Sequence, residues 1–573
     1  MEIRDSRRLT GPNLLWDHAG AVLDVACPED KVESLVAAWL VHAQRMLDAL
    51  GWSGEKLTAR RFPRGANLAL SAPMDVLYAA TEVNEWAFAA ARSQLDGSSC
   101  PPLEEETGRL QKLIQEERNP ALLRLRHAAR ENRIAFLSDD DQVSVGLGTG
   151  SITFPVDGIP DPDSMDWSNV HDIPVALVTG TNGKSTTVRL LAAMIRAAGK
   201  VPGFTTTDGI QVGDELVEAG DFSGPSGARA LLRHRQVELA VLECARGGML
   251  RRGLGVRRAR TALVTNVGRD HLGEFGVADQ ASLVETKLVV RRALGYTGTL
   301  VLNAEDPALR ARGAELELPI AWFTREPADE MVRRHWEAGG LAALVEDGRF
   351  VLCEAGKRES LIAVNEVPVT LKGAAEHNVA NSLAALLVGS RLGLSRDAMT
   401  AGLRDFQGSP GQNPGRGNLF EIAGVRMLVD FAHNPHAFRA LFQMARHMKP
   451  ERTLVLLGQA GDRDDDSIRE LVQATWKGRP DHVILKEMPR YLRGRVPGEV
   501  LEIMEAEFAR LGAPAGLLQR APSEIDAVRA ALRWARPGDL LLLLTHEVRD
   551  DVLGLLTGLS RQGWQPGQDP GSH

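Results

Sequence analysis

The sequence is poor in the features that mark secreted, zinc-clustered, nucleic-acid-binding or membrane proteins. Its four cysteines, Cys27, Cys100, Cys244 and Cys353, are far apart and include no C-x-x-C pair. That spacing argues against a disulfide framework or a structural zinc site and fits a reducing cytosol. The formal net charge of −8 gives no electrostatic support to nucleic-acid binding as a main role. No stretch approaches about 20 uninterrupted apolar residues and the N-terminus lacks a secretory apolar core, so we expect a cytoplasmic protein without a membrane span.

What is present is the composition of an ordinary globular protein with several domains. The chain has 573 residues, of which 25% are charged and 44% hydrophobic, which is enough for roughly three or four cores. We expect an α/β protein with an α+β N-terminal domain over 1–165, a parallel-sheet central domain over 166–413 and a smaller α/β C-terminal domain over 414–573. Residues 156–172 have the composition of a linker, and the tail from 562 that of a disordered end. The basic cluster at 60–64 favours a solvated face over a site for an acidic ligand.

A strand, a glycine turn and a helix follow one another in IPVALVTGTNGKSTTVRLLAAMIRAAG, residues 173–199. This arrangement is typical of nucleotide phosphate sites, because backbone N–H groups and the positive helix N-terminus face the anion. The lysine adds a charge and the serine offers a hydroxyl to Mg²⁺, although Val178 stands where the common pattern has its first glycine. The sequence therefore predicts an ATP site. Its residues are Gly180, Thr181, Asn182, Gly183, Lys184, Ser185 and Thr186.

Polar residues follow several later strands of the predicted parallel sheet, at the edge where such sheets bind ligands. Glu243 ends one apolar strand, where a carboxylate needs a partner; Mg²⁺ is favoured over pairing with Arg246 or Arg251. His271 follows the next strand and could bind a metal through a ring nitrogen or contact a phosphate, with a plain core or surface role as the alternative. Lys287 is a further catalytic candidate and lies in an apolar helix. The alternative is a snorkelling surface lysine.

Further candidates lie toward the C-terminus. Asn378 and Asn381 share a helical face and could read an adenine edge, with helix capping as the alternative for Asn378. Arg416, between two predicted domains, is suited to the transferred phosphate. Asp430 and His433 lie in a turn suited to ribose or phosphate contact. Two polar turns could grasp a charged substrate, with a basic surface loop as the alternative for the second; their candidate residues are Asp462, Arg463, Arg493 and Arg495.

Six of these features, in this order, resemble the Mur ligase superfamily of ATP-dependent amide ligases: GTNGKST, Glu243, NVGRDHLG, HNVANSLAA, NPGR and DFAHNPHA. Within this superfamily, five further stretches are similar to the Mur-type half of the cyanophycin synthetases: TTTDG (205–209), GDFSGP (220–225), ECARGGMLRRGLG (243–255), GDRDDD and YLRGR. The start RRLTGPN is similar to the N-terminal domain of those enzymes. The resemblance implies that Ser185, Glu243 and His271 hold Mg²⁺. It also implies roles for Lys184 and Arg416 at the phosphates, Asn381 at adenine and Asp430 at ribose. Substrate contacts are expected from Thr206, Thr207, Asp208 and Arg246.

Lys287 matches the lysine that is carbamylated in several superfamily members. Its distance along the chain from His271 differs from that in the peptidoglycan enzymes, so we do not expect carbamylation.

One departure from the cyanophycin synthetases changes the expected reaction. Those enzymes carry a complete ATP-grasp module between their N-terminal and Mur-type parts, whereas residues 131–150 here resemble only its opening. The resemblance implies that the missing site adds aspartate and that the Mur-type site adds arginine to an aspartate side chain. A chain with only the second site should add one amino acid to an acceptor made elsewhere, for example by a separate ATP-grasp partner. We also expect a homodimer.

These patterns lead to one main hypothesis and two alternatives. The main hypothesis is an ADP-forming carboxylate–amine ligase that uses ATP, Mg²⁺, an amino acid and a carboxylate or peptide acceptor. The first alternative is a nucleotide-binding partner that regulates or completes a separate ligase. The second is a P-loop kinase, which would leave the phosphate on a stable product.

Overall fold

The computed structural model describes residues 1–268, 273–514 and 516–571. The chain forms two compact units, each described by itself. The first unit comprises Met1–Leu344, Leu352–Glu359 and Ala384–Met399; the second comprises Val345–Val351, Ser360–Leu383 and Thr400–His573. The domain boundaries expected from the sequence stay predictions.

The first unit begins with an antiparallel sheet covered by helices. Its elements are β1 (Glu2–Leu9), β2 (Gly20–Ala26), α1 (Val32–Ala49), β3 (Leu57–Phe62), β4 (Gly65–Ser71), α2 (Leu77–Asp96) and α3 (Leu103–Glu117). The strands lie in the order β1-β2-β4-β3. Alternate residues of β2 point to opposite faces: Leu23 and Val25 pack into the core under the helices, and Val22 joins Leu9 and Trp16 on the other face. This is the α+β layer expected from the sequence.

A small three-stranded sheet follows, at the position where the sequence resembles the opening of a larger module. Its elements are α4 (Pro120–Glu131), β5 (Phe136–Ser138), β6 (Gln142–Val145) and β7 (Ile152–Pro155). The interpretation of 156–172 as a linker is wrong in one respect, because Met165, Trp167 and Val170 pack onto the apolar core of this sheet. The segment is therefore part of a folded layer.

The large sheet of the first unit carries the phosphate loop. Its elements up to the end of this stretch are β8 (Val175–Thr179), α5 (Lys184–Ala197), β9 (Pro202–Thr206), β10 (Gly209–Val212), β11 (Glu215–Ala219), α6 (Pro225–Leu232), β12 (Leu239–Glu243), α7 (Arg246–Arg252), β13 (Ala259–Val264), α8 (Gln280–Lys287), β14 (Leu294–Asn303), α9 (Pro307–Gly313), β15 (Ile320–Thr324), α10 (Glu330–Glu337) and β16 (Leu341–Glu346). Their strands lie in the order β11-β10-β9-β12-β8-β13-β14-β15-β16. From β9 to β16 all pairs are parallel. Strands β8 and β12 are buried along their whole length, as expected for a parallel sheet covered on both faces. The carboxyl ends of β8, β12 and β13 therefore meet at one edge.

The remaining elements complete the chain. They are β17 (Arg349–Glu354), β18 (Lys357–Ala363), α11 (Glu376–Leu392), α12 (Arg396–Asp405), β19 (Asn418–Ile422), β20 (Val425–Asp430), α13 (Pro435–His447), β21 (Thr453–Leu457), α14 (Asp465–Lys477), β22 (His482–Lys486), α15 (Glu499–Arg510), β23 (Leu518–Ala521), α16 (Glu524–Trp534), β24 (Leu540–Leu544) and α17 (Arg549–Gln562). Strands β19 to β24 form a sheet in the order β19-β20-β24-β21-β22-β23, parallel except for the β19–β20 hairpin. Apolar cores cover both of its faces. The expected multidomain α/β class is confirmed.

The end of the chain corrects one prediction. The tail from 562 was expected to be disordered from its composition, but Trp564 is buried in the core beside β24. Its Nε1 donates to the carbonyl oxygen of Gln568 at 3.2 Å. One aromatic side chain is thus enough to fix a Gly/Pro/Gln-rich segment. Within the described residues, none of the helices combines the length and apolar character that a membrane span requires.

A buried ion pair should contribute strongly to the integrity of the second unit. Lys486, fully buried at the end of β22, pairs with Glu524 and donates to the carbonyl oxygen of Leu544 at 2.6 Å. Removing one partner leaves the other charge buried, which costs about 3–5 kcal/mol. We therefore expect Lys486→Ala to lower the urea concentration at the unfolding midpoint of this unit. Hydrogen exchange of the amides in β22 and β24 measures this unfolding. Arg520→Ala is the control, because its pair with Glu505 is partly exposed and should be worth about 1 kcal/mol or less. Equal effects of the two variants would contradict this assignment.

Candidate functional site

The phosphate loop leaves the buried strand β8 through two glycines in left-handed or otherwise positive-φ conformations. Gly180 has φ +148° and a Cβ there would lie 1.8 Å from Thr265 Oγ1, so a side chain cannot be accommodated. Gly183 has φ +86° and precedes the first residue of α5. The turn therefore brings the backbone N–H groups at the start of α5 to the carboxyl edge of the sheet, where an anion is favoured.

The segment after β13 fixes the shape of this loop. Asn266 Oδ1 accepts from the Asn182 N–H at 3.0 Å, and the Asn266 carbonyl accepts from the Thr181 N–H at 2.9 Å. Thr265 Oγ1 donates to the Asn182 carbonyl at 2.6 Å, and the Gly268 N–H donates to Thr181 Oγ1 at 3.0 Å. The loop is thus held by side chains as well as by its own turn. Asn266 begins the NVGRDHLG stretch, but the sequence does not show these contacts, because they depend on a neighbouring strand.

Lys184 lies at the first position of α5 and curls back over the loop. Its Nζ donates to the carbonyl oxygens of Gly180 and Thr181, both at 3.1 Å. A positive charge is therefore held directly beside the loop N–H groups. Thr186 is buried one turn further along the same helix end. These positions agree with the phosphate-binding interpretation, and the individual roles stay predictions.

A hydroxyl and a carboxylate meet beneath the loop. Ser185 Oγ donates to Glu243 Oε2 at 2.7 Å, and Glu243, at the end of β12, is only 2% exposed. The second oxygen of this carboxylate, Oε1, is buried without a hydrogen-bond partner in the described part of the chain. The alternative pairing of Glu243 with Arg246 or Arg251 is wrong, since its recorded hydrogen-bond partner is Ser185 and Arg246 pairs with Glu274.

This pair of oxygens fits Mg²⁺. An orphaned buried carboxylate oxygen is costly unless a cation or donor reaches it, and Mg²⁺ is held typically by one or two carboxylates together with substrate phosphates. Among residues 1–268, 273–514 and 516–571 there is no group of three or more His, Cys, Asp or Glu side chains that could hold a metal alone. Ser185 and Glu243 therefore suit a metal that arrives with a phosphate ligand.

Two further residues were predicted to act in this region, and the structure describes one of them. His271 lies outside the described residues, so its expected metal contact stays a prediction. Lys287, at the last position of α8, is 4% exposed. The alternative of a snorkelling surface lysine is therefore wrong, and Lys287 is a buried cation of the first unit.

The expected substrate residues of the first unit lie on neighbouring elements. Arg189 of α5, itself buried, donates to Asp208 Oδ2 at 2.6 Å, and the Asp208 N–H donates to Thr206 Oγ1 at 3.1 Å. Thr206 ends β9 and is buried, whereas Thr207 is half-buried in the following turn. Arg246 begins α7 and pairs with Glu274. The arrangement is a polar rim beside the phosphate loop, and its substrate contacts stay predictions.

The N-terminal layer contacts Phe275 and Gly276, which the sequence did not suggest. Phe275 has φ +52°, and its ring lies 5.0 Å from the Arg7 guanidinium carbon and 5.7 Å from that of Arg251. Arg60 donates to the Gly276 carbonyl at 3.0 Å, and a Cβ on Gly276 would lie 2.4 Å from the Phe62 ring. The prediction of a solvated basic face at 60–64 is therefore wrong for Arg60.

A buried acid and a buried amide explain why Arg7 occupies this position. Arg7 is 8% exposed and makes a bidentate pair with Asp24, at 2.6 and 3.1 Å. Asn67 donates to the same carboxylate at 2.5 Å. Such bidentate pairs fix the guanidinium plane, so the face of Arg7 is oriented toward Phe275.

In the second unit, the two asparagines are buried and bonded to the protein. Asn378 Nδ2 donates to the Val369 carbonyl at 2.9 Å, and Asn381 Nδ2 donates to Asn378 Oδ1 at 3.0 Å. Both side chains are 5% exposed. Asn378 therefore ties α11 to the preceding turn instead of capping its own helix. Contact of either residue with adenine stays a prediction.

Arg416, Asp430 and His433 meet around one aromatic ring. The Arg416 guanidinium carbon lies 5.2 Å from the centre of the Phe431 ring, and His433 contacts the same ring edge-on. Asp430 ends β20 and its Oδ1 accepts from the Ala432 N–H at 2.8 Å. Burial raises the pKa of Asp430, and Arg416 opposes that rise. An acid and a base thus lie together at a strand end, which suits a polar ligand such as ribose phosphate.

His546 also contacts this ring and was missed from the sequence. It follows β24 and lies edge-on to Phe431 at 5.2 Å between ring centres, and its Nε2 lies 3.1 Å from the Ala432 carbonyl. Burial, together with the nearby Lys486, lowers the pKa of His546 well below its usual value. A strand-end position like that of Asp430 was the signal that could have found it.

The two polar turns of the second unit bond to each other. Arg493 donates to Asp462 Oδ2 at 2.5 Å. Arg495 donates to the Arg463 carbonyl and to Asp465 Oδ1, both at 2.8 Å, and to Glu499 Oε1 at 2.7 Å. These acids raise the pKa of Arg495. Arg495 thus supports the loop. The Arg493 side chain is 47% exposed, and its contact with a substrate carboxylate stays a prediction.

Comparison with known proteins identifies the two parts that carry these residues. The family model "Mur ligase middle domain" matches residues 178–389. The model "Mur ligase, glutamate ligase domain" matches residues 415–545. Glu243 and the phosphate loop lie in the first match, and Arg416 and Asp430 lie in the second. His546 directly follows the last residue of the second match.

Individual relatives agree with these matches. The chain is 37% identical over 376 residues to cyanophycin synthetase of Trichormus variabilis, covering 66% of this chain and 41% of the relative. It thus spans about two fifths of the length of such relatives. It is 26% identical over 395 residues to UDP-N-acetylmuramoyl-L-alanyl-D-glutamate–2,6-diaminopimelate ligase of Geobacillus kaustophilus, covering 66% and 75% of the two chains. A structure of E. coli FolC with ADP aligns over 68% of this chain and 90% of its own, with 19% identity and a TM-score of 0.49. By its two matched domains, the chain belongs to the Mur ligase superfamily.

Proposed function

We propose that the protein is an ATP-dependent, ADP-forming ligase that joins a carboxylate to an amine through an acyl phosphate. The observation that carries this proposal is the Ser185–Glu243 pair beneath the phosphate loop, with Glu243 Oε1 buried and without a partner. The pair suits a metal–nucleotide complex, and a Mur ligase assignment gives that complex a reaction.

The residues of the first unit would bind and orient ATP. The N–H groups at the start of α5 and the Lys184 ammonium would stabilise the phosphate charge, and the contacts of Asn266 keep the loop in its binding shape. Ser185 and Glu243 would hold Mg²⁺. When bound, this ion would neutralise charge on the β- and γ-phosphates. In the second unit, Arg416 would donate to the phosphates and Asp430 would accept from the ribose.

The proposed chemistry has two steps. First, an acceptor carboxylate oxygen bonds to the γ-phosphorus, the bond from that phosphorus to the bridging oxygen breaks, and ADP leaves. Second, the amine nitrogen attacks the acyl carbon and loses a proton, and inorganic phosphate leaves with the former carboxylate oxygen. The protein contributes positioning and charge stabilisation to both steps.

The substrates follow from the relatives at 37% identity. We propose an aspartyl or small-peptide acceptor and an arginine-like amino acid, because the matched relatives are named cyanophycin synthetases. Residues 131–155 form only α4's end and a three-stranded sheet, so we also propose that a separate ATP-grasp enzyme makes the acceptor. A cytoplasmic homodimer completes this proposal.

The first test is a measurement of ADP and phosphate release. The chain is incubated with ATP, Mg²⁺, aspartyl acceptors and each common amino acid. We expect phosphate release that depends on both substrates, and one ¹⁸O atom from a labelled acceptor carboxylate in the released phosphate. AMP release, or no amino-acid-dependent ATP consumption, would falsify the ligase proposal.

Phosphate that stays on a stable product would indicate a kinase. A Lys184→Ala variant that keeps all biological activity would favour a nucleotide-binding partner that regulates or completes a separate ligase.

The second test concerns the buried carboxylate. Glu243→Gln removes a charge whose one oxygen lacks a partner, so the thermal midpoint without nucleotide should stay equal or rise. The same change should lower turnover by about 100-fold and abolish the Mg²⁺-dependent stabilisation by ATP, both measured on the full chain. Glu215→Gln, on the exposed strand β11, is the matched control. If Glu243→Gln lowers the midpoint and leaves turnover intact, the carboxylate is structural.

The third test concerns the loop held by the N-terminal layer. Arg60→Met removes the donor to the Gly276 carbonyl, so the segment after β13 should be less well positioned and kcat should fall about 10- to 100-fold. The KM for ATP should change little, and Arg60→Lys should restore part of the rate. Arg61→Met is the control, because its side chain is 45% exposed and, among the described residues, pairs with the exposed Glu33. The same kcat for both methionine variants would rule out this positioning role.

A further inference from the structure

A second charged cavity lies in the first unit, away from the phosphate loop. Its volume is about 540 Å³, and it is lined by α4, β5, α6 and the segment just before β13. Residues 254–258 precede the amino end of β13, and the Ala135 N–H in the wall donates to Asp172, just before β8. The phosphate loop follows the opposite, carboxyl end of β8. Since a five-residue strand spans about 16 Å, the two places are separate.

Arginine side chains give the wall of this cavity a positive charge. Arg126 and Arg130 lie one turn apart on α4, Arg229 comes from α6, and Arg257 and Arg258 precede β13. Among the described residues that line the cavity there is no Asp or Glu. Like charges at this helical spacing repel each other. The proximity of these arginines therefore destabilises the folded protein, and a bound anion would remove that repulsion.

The acids near the cavity are already bonded elsewhere. Asp139 lies 3.9 Å from Arg229 Nε but accepts a direct pair from Arg233. Asp17 offers Arg257 only its backbone oxygen, at 2.7 Å, while its carboxylate accepts from Arg292.

Two further acids are also engaged. Asp75 accepts from the Asn119 N–H at 3.1 Å and Asp172 from the Ala135 N–H at 3.0 Å. In the described part of the chain, no carboxylate forms a salt bridge with Arg126, Arg130, Arg257 or Arg258.

Partial burial adds to the cost of Arg126 and Arg229, whereas Arg130, Arg257 and Arg258 are exposed. Burial is the main cause that lowers the pKa of Arg126; Arg130 adds to this effect, and Asp75 and Glu55 oppose it. Guanidinium groups remain charged at neutral pH in proteins, so they keep their charge in an unfavourable place. An oxyanion that accepts paired N–H bonds would replace the lost water.

The rest of the wall is apolar. Met74, Phe136 and Leu254 line the cavity with several other aliphatic side chains. Small-molecule sites usually combine such a surface with a few convergent polar groups. We propose that this cavity binds a small molecule that carries two or more phosphate or carboxylate groups on an apolar body, at a site distinct from that of ATP.

The test uses thermal unfolding of the full chain with pyrophosphate as the probe. Lys184→Ala is used as the background, because it weakens binding of the probe at the phosphate loop. At about one hundred times its Kd, pyrophosphate should raise the midpoint by about 2–3 °C, and sodium chloride at the same ionic strength should not. Tricarballylate, in a parallel series, distinguishes carboxylate from phosphate preference. A rise matched by chloride would overturn the proposal.

Matched variants connect the effect to the cavity. Adding Arg126→Gln and Arg257→Gln should abolish the rise while leaving the midpoint without anion equal or higher, because repulsion is removed. Arg124→Gln, an exposed change on the same helix, should keep the rise. If the double variant does not fold, Arg130→Gln, also exposed, should weaken pyrophosphate about tenfold. A rise that survives these changes would refute binding at this cavity.

Discussion

The buried carboxylate of Glu243 is the constraint on which the rest of the first unit depends. A carboxyl group that is 2% exposed, with one oxygen bonded to Ser185 and the other without a partner in the described part of the chain, is unfavourable in the protein by itself. It is tolerated because β12 is buried among parallel neighbours and delivers it to the carboxyl edge of the sheet. The helix N-terminus at α5 and the Lys184 ammonium make that edge positive. The site is thus prepared for a ligand that brings both a cation and phosphates.

The order of the strands makes this site an assembly of distant segments. Strand β8 lies between β12 and β13, so the phosphate loop is bonded on one side to Glu243 and on the other to Asn266. Phe275 and Gly276, further along the chain from β13, contact Arg7 and Arg60 of the N-terminal layer. We expect the N-terminal layer to influence the phosphate site through these contacts.

The sequence predicted what local pattern controls. The buried apolar strand β8, the glycine turn and the start of α5 were recognisable, because turn chemistry and periodicity act over a few residues. Glu243 was found since it ends an apolar run. The contacts of Asn266, Arg7 and His546 were not predicted, although Asn266 and Arg7 begin two of the family-like stretches. Each contact involves a neighbour that only the sheet order brings close. Arg60 and Trp564 were misjudged for a related reason: their segments are basic or Gly/Pro-rich, and composition does not show which single side chain is buried.

The two edges of the central sheet differ in how their charged side chains are balanced. At the carboxyl edge, a buried acid lies next to a cationic loop, so the local charges are partly balanced before a ligand binds. At the amino edge, Arg126, Arg229 and Arg257 gather around an apolar wall, and the nearby acids are bonded to other groups. Like charges brought together at a partly buried surface destabilise the fold unless something compensates them. A fold that keeps such a cluster therefore gains stability whenever an anion occupies it, and the occupancy of one edge becomes linked to the stability of the sheet that carries the other.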